Sequence, residues 1–552
     1  MVNVSFDAWW LTPGLPPEAS LLSGKPSTAI SFSGGSSRSY TVSIGYLLGL
    51  SELSLLNSTR YISGVSGGSW ATAAFSYAQF GTNGDVPRDE AELLDEYVPP
   101  EALNMTGLKH MPARSARRAV THSFDAAILE KWVTNPLSTA WCEVMYDNFL
   151  GPLGVAHDAA FVVDNASAAA ARARNPDFLR SATFVWPRAD RPFPIISISL
   201  LGPQSLAPFK QSERRYSMVE ATPLYVGVSY ARNLSYVGEY GGEETHVVGG
   251  GVESWAFDLS SPVGVGGASH AQLQTSTSAA PPFSLRVAIG ASSFFLGGFV
   301  AGVPLIDQYA MKRRYFSPAT RSATEAPTND EFLFADGGVS QNLGLIGLLQ
   351  RRVRSIVLFC NFVTPLSSAR KWNPLAANAT ATLTTDTLDD DLPTYFGVVP
   401  KGLTNKSRGT DVLHNAVFAP GDFAPTVAAL QQAQMRGSGA VVTTPLTTVS
   451  NAYYGLAAGI QTNVTWVYLS RCTEWERRLP AELRALVEPE KDADDPSSLR
   501  KHGTFKGFPH YSTTDLKLSA EKANLLASLC AWVIKQNEAL FRAALGPQTS
   551  SA

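Results

Sequence analysis

The decapeptide YISGVSGGSW, residues 61–70, decides the fold class of this 552-residue chain. Its first residues are typical of a buried strand, and the Gly-x-Ser-x-Gly pentapeptide 64–68 predicts a sharp turn with Ser66 at its apex. The stretch SWATAAFSYAQF (69–80) predicts a helix directly after it. A serine on such a turn exposes its hydroxyl and faces the positive end of the helix dipole. Ser66 is therefore a candidate nucleophile, and the alternative is a flexible Gly/Ser turn without chemistry.

A similar unit lies upstream. TAISFS (28–33) reads as a short buried strand, and a Gly/Ser turn and a helical stretch at 40–55 follow it. Two strand–helix units in succession predict an α/β fold with a parallel sheet and covering helices. In the turn Ser33-Gly34-Gly35-Ser36, successive small residues leave backbone N–H groups free to meet an anion, and Arg38 can hold a phosphate. A turn without function is the alternative here as well.

A third unit appears late in the chain. EFLFADGG (331–338) predicts a strand that ends in Asp336, and SIVLFCNF (355–362) predicts a second, continuously apolar strand. We expect both strands to be central and covered on both faces. Asp336 either caps the next helix or acts as the general base that takes the proton of Ser66.

The composition excludes several classes of protein. Charged residues make up 16% of the chain, below the about 25% of ordinary soluble domains, and the net charge is −3. Nucleic-acid binding through a basic face is therefore not expected. Four cysteines without a CxxC pair exclude a metal ribbon. We expect no metal and no cofactor, and we interpret the acidic run 389–391 as a solvated loop, with coordination of a cation as the alternative. The uncharged stretch 287–306 favours buried core over a membrane span, since glycines and a proline interrupt it.

A histidine can complete a triad if the order is serine, acid, histidine. His414, His502 and His510 all follow Asp336, so the order permits it. None of the three lies in a clear strand-end turn, and we interpret each as a surface or packing residue.

Together, strand–SGGxxR–helix, strand–GxSGGSW–helix and strand–DGG resemble the patatin-like superfamily. More narrowly, residues 61–70 and 335–357 resemble the catalytic domain shared by cytosolic phospholipase A2 and fungal phospholipase B, also called lysophospholipase, and residues 288–298 resemble a small-residue stretch of that family. The firm matches cover about 90 residues in three blocks. The resemblance implies a three-layer α/β fold with a central, mostly parallel sheet and large cap-like insertions. It implies one catalytic domain over residues 20–545, with insertions at about 85–280 and 365–450.

The resemblance also assigns roles to particular residues. It implies a Ser66–Asp336 dyad without histidine, an oxyanion hole formed by the N–H groups of Gly35 and Ser36, and a substrate phosphate held by Arg38, with Arg351 as a second candidate. Asn342 would order the loop after Asp336. Two positions depart from the family pattern, because Ser36 replaces a glycine and Ser37 replaces a bulky aromatic residue. We expect the replacement at Ser36 to leave its N–H donor in place. How firmly the site holds its substrate stays open.

The expected function is hydrolysis of phospholipid or lysophospholipid acyl esters, with transient contact to a membrane surface. The alternatives are a Ser–His–Asp esterase for small esters and an inactive lipid-binding relative. Calcium-driven recruitment is not expected. MVNVSFDAWW lacks the pattern of a signal peptide, which favours a cytoplasmic or peripheral membrane protein. A secreted glycoprotein is the alternative, because the chain has eight N-x-S/T sequons, at Asn3, Asn57, Asn104, Asn165, Asn233, Asn378, Asn405 and Asn463.

Overall fold

A computed structural model describes residues 2–79, 90–133, 135–210, 213, 215–259, 270–277, 282–295, 311–318, 329–403 and 412–546. Its strands are β1 (Val2–Trp9), β2 (Thr28–Phe32), β3 (Tyr61–Val65), β4 (Ala160–Phe161), β5 (Phe184–Val185), β6 (Phe193–Pro203), β7 (Ser217–Ala221), β8 (Tyr225–Val237), β9 (Glu243–Glu253), β10 (His270–Thr277), β11 (Met311–Phe316), β12 (Asn329–Asp336), β13 (Ser355–Cys360), β14 (Ala440–Thr447) and β15 (Gln461–Tyr468).

The α-helices within the described residues are α1 (Ser36–Glu52), α2 (Gly67–Tyr77), α3 (Glu90–Leu94), α4 (Met105–Lys109), α5 (Phe124–Trp132), α6 (Leu137–Phe149), α7 (Asn165–Arg174), α8 (Leu285–Ser292), α9 (Ile346–Gln350), α10 (Ala379–Thr382), α11 (Asp391–Thr394), α12 (Phe423–Met435), α13 (Thr473–Arg478), α14 (Ala481–Val487), α15 (Ala520–Gln536) and α16 (Glu538–Leu545). Helix α15 begins after Ser519, whose hydroxyl accepts a hydrogen bond from the Lys522 N–H.

One large mixed sheet organises the described part of the chain. The strands follow the order β10-β1-β9-β8-β7-β6-β3-β2-β13-β15-β14, and β12 joins β6 and β11 off this path. The five strands β6, β3, β2, β13 and β15 run parallel to one another, as the strand–helix alternation predicts. The strands that extend the sheet beyond β6 pair antiparallel.

Helices cover both faces of the parallel strands because successive side chains of each strand point in opposite directions. On β13, Val357 and Phe359 belong to one apolar core, with side chains of α1, α2 and α15. Ile356 and Leu358 belong to a second core on the other face, with side chains of α9 and α12. The predicted α/β class with helices on both sides of the sheet is therefore confirmed.

Two strands, β3 and β12, pair with the same edge of the long strand β6. Its first half pairs in parallel with β3, and this pairing ends where Val65 faces Ser197. Its second half pairs antiparallel with β12, and that pairing begins where Asp336 faces Ile198. The C-terminal ends of β3 and β12 consequently meet head to head along β6.

The DGG strand β12 pairs antiparallel with both of its neighbours, so it lies outside the parallel set. The structure describes main-sheet strands in three places relative to the predicted domain and its insertions. Residues 193–253, within the predicted insertion 85–280, contain β6 to β9 of the main sheet. Strand β14 lies within the predicted insertion 365–450, and β1 lies before residue 20.

The uncharged stretch 287–306 is described only in its first part. Residues 285–292 form α8, which is buried apart from Arg286. Residues 296–306 lie outside the described residues. In the part of the chain that the structure describes, no helix has the length and apolar character needed to cross a membrane.

Candidate active site

Ser66 occupies a strained turn between β3 and α2. Its backbone has φ +52° and ψ −122°, a conformation that residues other than glycine rarely adopt. A Cβ at the next residue, Gly67, would lie 2.8 Å from the backbone nitrogen of Ser36, so only glycine fits there. Strain of this kind persists where the surrounding structure imposes it, which is common at reactive sites.

The Ser66 hydroxyl donates a hydrogen bond of 2.7 Å to Asp336 Oδ2. The two residues are 270 positions apart in the chain. The register on β6 brings them together, because Ser66 follows the residue paired with Ser197 and Asp336 is paired with Ile198. The strand ends that meet on β6 thus place a hydroxyl beside a carboxylate.

Burial raises the pKa of Asp336 to about 6, and the hydrogen bonds from the Gly338 N–H and the Ser66 hydroxyl oppose this shift. The Gly338 N–H is 2.8 Å from Asp336 Oδ1. Asp336 is 7% exposed. A carboxylate with a raised pKa is a stronger base than an ordinary aspartate and is still ionised at neutral pH.

The Ser292 hydroxyl links the Ser66 turn to β6 through two hydrogen bonds. The backbone N–H of Ser66 donates to Ser292 Oγ at 3.2 Å, and the Ser292 hydroxyl donates to the Ser197 carbonyl at 2.6 Å. The sequence offers only a Ser–Ser pair in a small-residue stretch as a signal for this contact.

The turn 33–36 lies directly against the nucleophile turn. A Cβ on Gly34 would come within 3.2 Å of the Ser66 Cβ. Gly35 has φ +135° and Ser36 has φ +57°, and α1 begins at Ser36. Among the residues that the structure describes, no acceptor is bonded to the N–H groups of Gly35 and Ser36. The N-terminal ends of α1 and α2 therefore both meet at Ser66, where negative charge is favoured.

Asn342 ties this turn to the loop after Asp336. The Gly34 N–H donates to Asn342 Oδ1 at 3.1 Å, and Asn342 Nδ2 donates to Asp391 Oδ2 at 2.6 Å. The interpretation of residues 389–391 as a solvated loop is wrong, because Asp389 and Asp391 are both buried. The Asp391 carboxylate instead orients the amide that fixes the 33–36 turn.

Arg38 lies beside the turn, and most of its guanidinium is engaged. Nε donates to the Asn361 carbonyl at 3.0 Å, and Nη1 donates to the Tyr511 carbonyl and to Thr513 Oγ1. A Cβ on Gly35 would collide with Nη2, so this group faces the turn. Burial lowers the pKa of Arg38 to about 10, and the charges of acidic neighbours oppose the shift, so the side chain is a cation at neutral pH.

Arg351 lies elsewhere, and its assignment to the substrate phosphate is corrected. Its buried guanidinium forms hydrogen-bonded ion pairs with Glu18 at 2.7 Å and Glu220 at 2.8 Å. It also lies 5.6 Å from the ring centroid of Tyr61, at the start of β3, whereas Ser66 follows the end of that strand. The carboxylates of Glu18 and Glu220 already neutralise Arg351, which lies near the start of β3, whereas Ser66 follows its end.

The structure brings none of the three late histidines into a hydrogen bond with Ser66 or Asp336 within the described residues. His510 is buried, and its Nδ1–H donates to the Phe362 carbonyl at 3.0 Å. The pKa of His510 is lowered to about 3, mainly by burial and in smaller part by the charge of Arg38, while the hydrogen bond to Phe362 opposes the shift. His414 stacks on Tyr453, and the backbone N–H of His502 donates to Glu490.

Comparisons with known proteins give likeness in structure alone. No protein-family model matches the chain, and no curated protein sequence matches it. Human GIVD cytosolic phospholipase A2 has a TM-score of 0.45 and 14% identity to the chain, with 95% of this chain and 60% of that chain covered. Its complex with methyl gamma-linolenyl fluorophosphonate has a TM-score of 0.41 and 14% identity, with 94% of this chain and 59% of that chain covered. The chain thus spans about 60% of the length of these neighbours. At these TM-scores the likeness says nothing about the activity of this chain.

Proposed function

We propose that this chain is a serine hydrolase that cleaves acyl esters of glycerophospholipids or lysophospholipids through an acyl-enzyme intermediate. The observation that carries the proposal is the 2.7 Å hydrogen bond from Ser66 Oγ to buried Asp336. A hydroxyl on a strained strand-to-helix turn, within hydrogen-bond reach of a base, is the arrangement of an activated nucleophile. The resemblance of the three sequence blocks to phospholipases supplies the substrate class.

In the first half-reaction, Ser66 Oγ attacks the ester carbonyl carbon, and its proton passes to Asp336 Oδ2. The carbonyl oxygen becomes an oxyanion, which the N–H groups of Gly35 and Ser36 stabilise as hydrogen-bond donors. Breaking the ester C–O bond releases the alcohol part of the lipid, which takes the proton back from Asp336. The acyl group remains on Ser66.

In the second half-reaction, a water molecule attacks the acyl carbon and gives a proton to Asp336. The C–O bond to Ser66 then breaks, and the serine oxygen recovers the proton, so that a fatty acid leaves and both residues return to their starting states. The dyad needs no third residue, because Asp336 accepts and returns one proton in each half-reaction.

Arg38 is the proposed contact for the substrate phosphate. Its Nη2 faces the Gly35 turn, and its other nitrogens are fixed by backbone carbonyls. A guanidinium held in this way keeps its orientation while one amino group points toward the reacting ester. The grip on the substrate, which the departures at Ser36 and Ser37 leave open, concerns this part of the site.

Helix α5 offers a surface for transient contact with a membrane. Leu129, Trp132 and Val133 are 63%, 49% and 79% exposed and follow one another at positions i, i+3 and i+4 of α5 and its C-terminal end. Phe124, the first residue of α5, stacks on Trp70, whose N–H bonds to the Ser66 carbonyl. This apolar ridge therefore continues from an element packed directly beside the nucleophile turn.

We expect the double substitution Trp132→Ser and Val133→Ser to lower the rate on phospholipid vesicles about tenfold, because each side chain loses its transfer from water to lipid. Hydrolysis of a short water-soluble ester should be unchanged. Vesicle cosedimentation and rate measurements check both effects. Tyr240→Ser, at another residue that is 83% exposed, is the matched control. Equal loss on both substrates would contradict a role in surface contact.

The proposed function is tested by incubating purified protein with phospholipid vesicles, lysophospholipid micelles and a short soluble ester, with the products identified by mass spectrometry. We expect free fatty acid from at least one of the two lipids, and no release by the Ser66→Ala variant. Release from the short ester alone would favour a small-ester esterase. If Ser66 failed to react with a fluorophosphonate and no substrate were cleaved, the chain would be a lipid-binding relative.

A further inference from the structure

The eight N-x-S/T sequons exceed the number that the composition of the chain predicts. With 20 asparagines and 94 serines and threonines among 552 residues, about three sequons would arise by chance. None of the eight has proline at its middle position, where proline would prevent modification. Seven of the eight asparagines lie in the described part of the chain, and Asn405 lies outside it. The excess alone does not separate modification sites from chance, and the exposure of the seven side chains does.

Exposure divides the sequon asparagines from the other asparagines. All seven sequon asparagines within the described residues are exposed, namely Asn3, Asn57, Asn104, Asn165, Asn233, Asn378 and Asn463. Of the eleven described asparagines outside a sequon, Asn373 is exposed, and the other ten are buried or partly buried. A sequon that arises by chance falls on a buried asparagine as readily as on an exposed one. The division therefore indicates that sequons are kept where a bulky group can be attached.

Loop composition does not explain this division, because four of the seven asparagines belong to regular elements. Asn3, Asn233 and Asn463 lie on β1, β8 and β15. Asn165 is the first residue of α7. On β15, Asn463 is exposed between two buried neighbours, and on β8, Asn233 precedes buried Leu234, as the alternation of side chains along a strand requires. These sequons therefore lie on the solvent side of ordered structure.

The local structure at Asn104 is compatible with an attached sugar. Its Oδ1 accepts a hydrogen bond of 2.9 Å from the Gly107 N–H and thereby caps α4. Its Nδ2 donates to the Ala102 carbonyl at 3.4 Å. A glycosidic bond replaces one of the two hydrogens of Nδ2 and leaves Oδ1 unchanged. The helix cap and one N–H donor are therefore retained after modification.

Two of the exposed asparagines lie at the edge of the sheet opposite to Ser66. Asn57 lies four residues before β3, and Ser66 directly follows that strand. A strand of five residues spans about 16 Å. Asn463 is paired with Ser355, the first residue of β13, and β13 and β3 both run parallel to β2. Oligosaccharides on Asn57 and Asn463 therefore leave Ser66 accessible.

We propose that the exposed sequon asparagines carry N-linked oligosaccharides. The donor is an oligosaccharide on a polyprenyl diphosphate. The asparagine Nδ2 forms a bond to the anomeric carbon and gives up one proton, and the bond from that carbon to the phosphate oxygen breaks, so that polyprenyl diphosphate leaves. This transfer takes place in the lumen of the secretory pathway, so the chain enters that compartment, which is the alternative to a cytoplasmic location.

The modification also suits the composition of the chain. Only 16% of the residues are charged, and an oligosaccharide adds bulky, hydroxyl-rich and solubilising surface without charge. Helix α5, the proposed membrane contact, contains no asparagine, so it stays uncovered by direct attachment. The modification is independent of the proposed ester hydrolysis.

The test is mass spectrometry of intact tryptic glycopeptides from the full chain, purified from the cells that produce it. Electron-transfer fragmentation assigns each sugar to its asparagine. We expect an oligosaccharide on most of the seven described sequon asparagines and none on Asn373, the exposed asparagine without a sequon. Unmodified asparagine at most of the seven would overturn the proposal. The measurement needs no enzymatic activity, so its outcome does not depend on the proposed function.

Single variants made in the same cells verify the attachment sites. We expect Asn57→Gln and Asn463→Gln each to migrate faster than the wild type on a denaturing gel, because each lacks one oligosaccharide. Asn373→Gln is the matched control and should migrate with the wild type. After chemical removal of the sugars, all four proteins should migrate together. Migration of both sequon variants with the wild type before sugar removal would overturn the proposal.

Discussion

Replacement of Ser66 by alanine is expected to lower the rate of ester hydrolysis by about 10⁴-fold or more, to the level of the uncatalysed blank. The substitution removes the only atom that forms the acyl-enzyme bond in the proposed cycle. The fold should survive, because alanine keeps the backbone N–H that donates to Ser292 Oγ. Hydrolysis rates on the preferred lipid measure the effect, and thermal melting shows that the protein is folded.

The neighbouring serine provides a matched control. Ser36 also has a positive φ, and its buried hydroxyl has no hydrogen-bond partner within the described residues. The proposed role of Ser36 uses only its backbone N–H, which Ser36→Ala retains. We expect this variant to keep most of the activity. A comparable loss in both variants would mean that the site is disturbed by any change at the turn and that Ser66 has no special role.

Replacement of Asp336 by asparagine is expected to lower the rate about 10³- to 10⁴-fold, because an amide cannot take the proton from Ser66. The asparagine can still accept from the Gly338 N–H, so the local structure should persist. In the wild type, activity should rise with pH through about 6, where Asp336 ionises, and then stay level. Rates measured from pH 4.5 to 8.5 check both statements.

The ionisation of Asp336 that raises activity lowers the stability of the folded protein. The pKa of Asp336 is raised in the folded protein, so its stabilising contribution is full below the unfolded value of 3.8 and is lost as the pH rises through about 6. Asp336→Asn should therefore melt at a higher temperature than the wild type at pH 8. At pH values below 4 the difference should vanish. A lower melting temperature of the variant at pH 8 would contradict the raised pKa.

His510 is the control for the dyad. Asparagine at this position can donate to the Phe362 carbonyl as the imidazole Nδ1–H does. His510→Asn should keep most of the activity and the same pH profile. A loss as large as that of Asp336→Asn would show that a histidine takes part in the proton transfers.

Local sequence signals predicted the elements that carry the site. The strands at 28–32 and 61–65 and the helices after them lie where the alternation of strand and helix patterns placed them. The turn at Ser66 is encoded by its flanking glycines, since one of them packs against Ser36 too closely for any side chain. Signals of this kind are short-range, and for that reason one sequence suffices to find them.

Long-range pairing was not predictable in the same way. The pattern of EFLFADGG is that of a buried strand, and burial alone does not distinguish a parallel neighbour from an antiparallel one. The register on β6 that joins Ser66 to Asp336 therefore had to come from the structure. Arg351 and the 389–391 run were misjudged for a related reason, since their partners Glu220 and Asn342 are 131 and 49 residues away.

The most direct test of the central claim is the rate at which a fluorophosphonate labels Ser66 as a function of pH, followed by peptide mapping. We predict one label per chain, on Ser66, at a rate that rises through pH about 6 in the wild type and in His510→Asn. In Asp336→Asn, labelling should be slow at every pH. Labelling of a different residue, or equal rates with and without Asp336, would contradict a Ser66–Asp336 dyad.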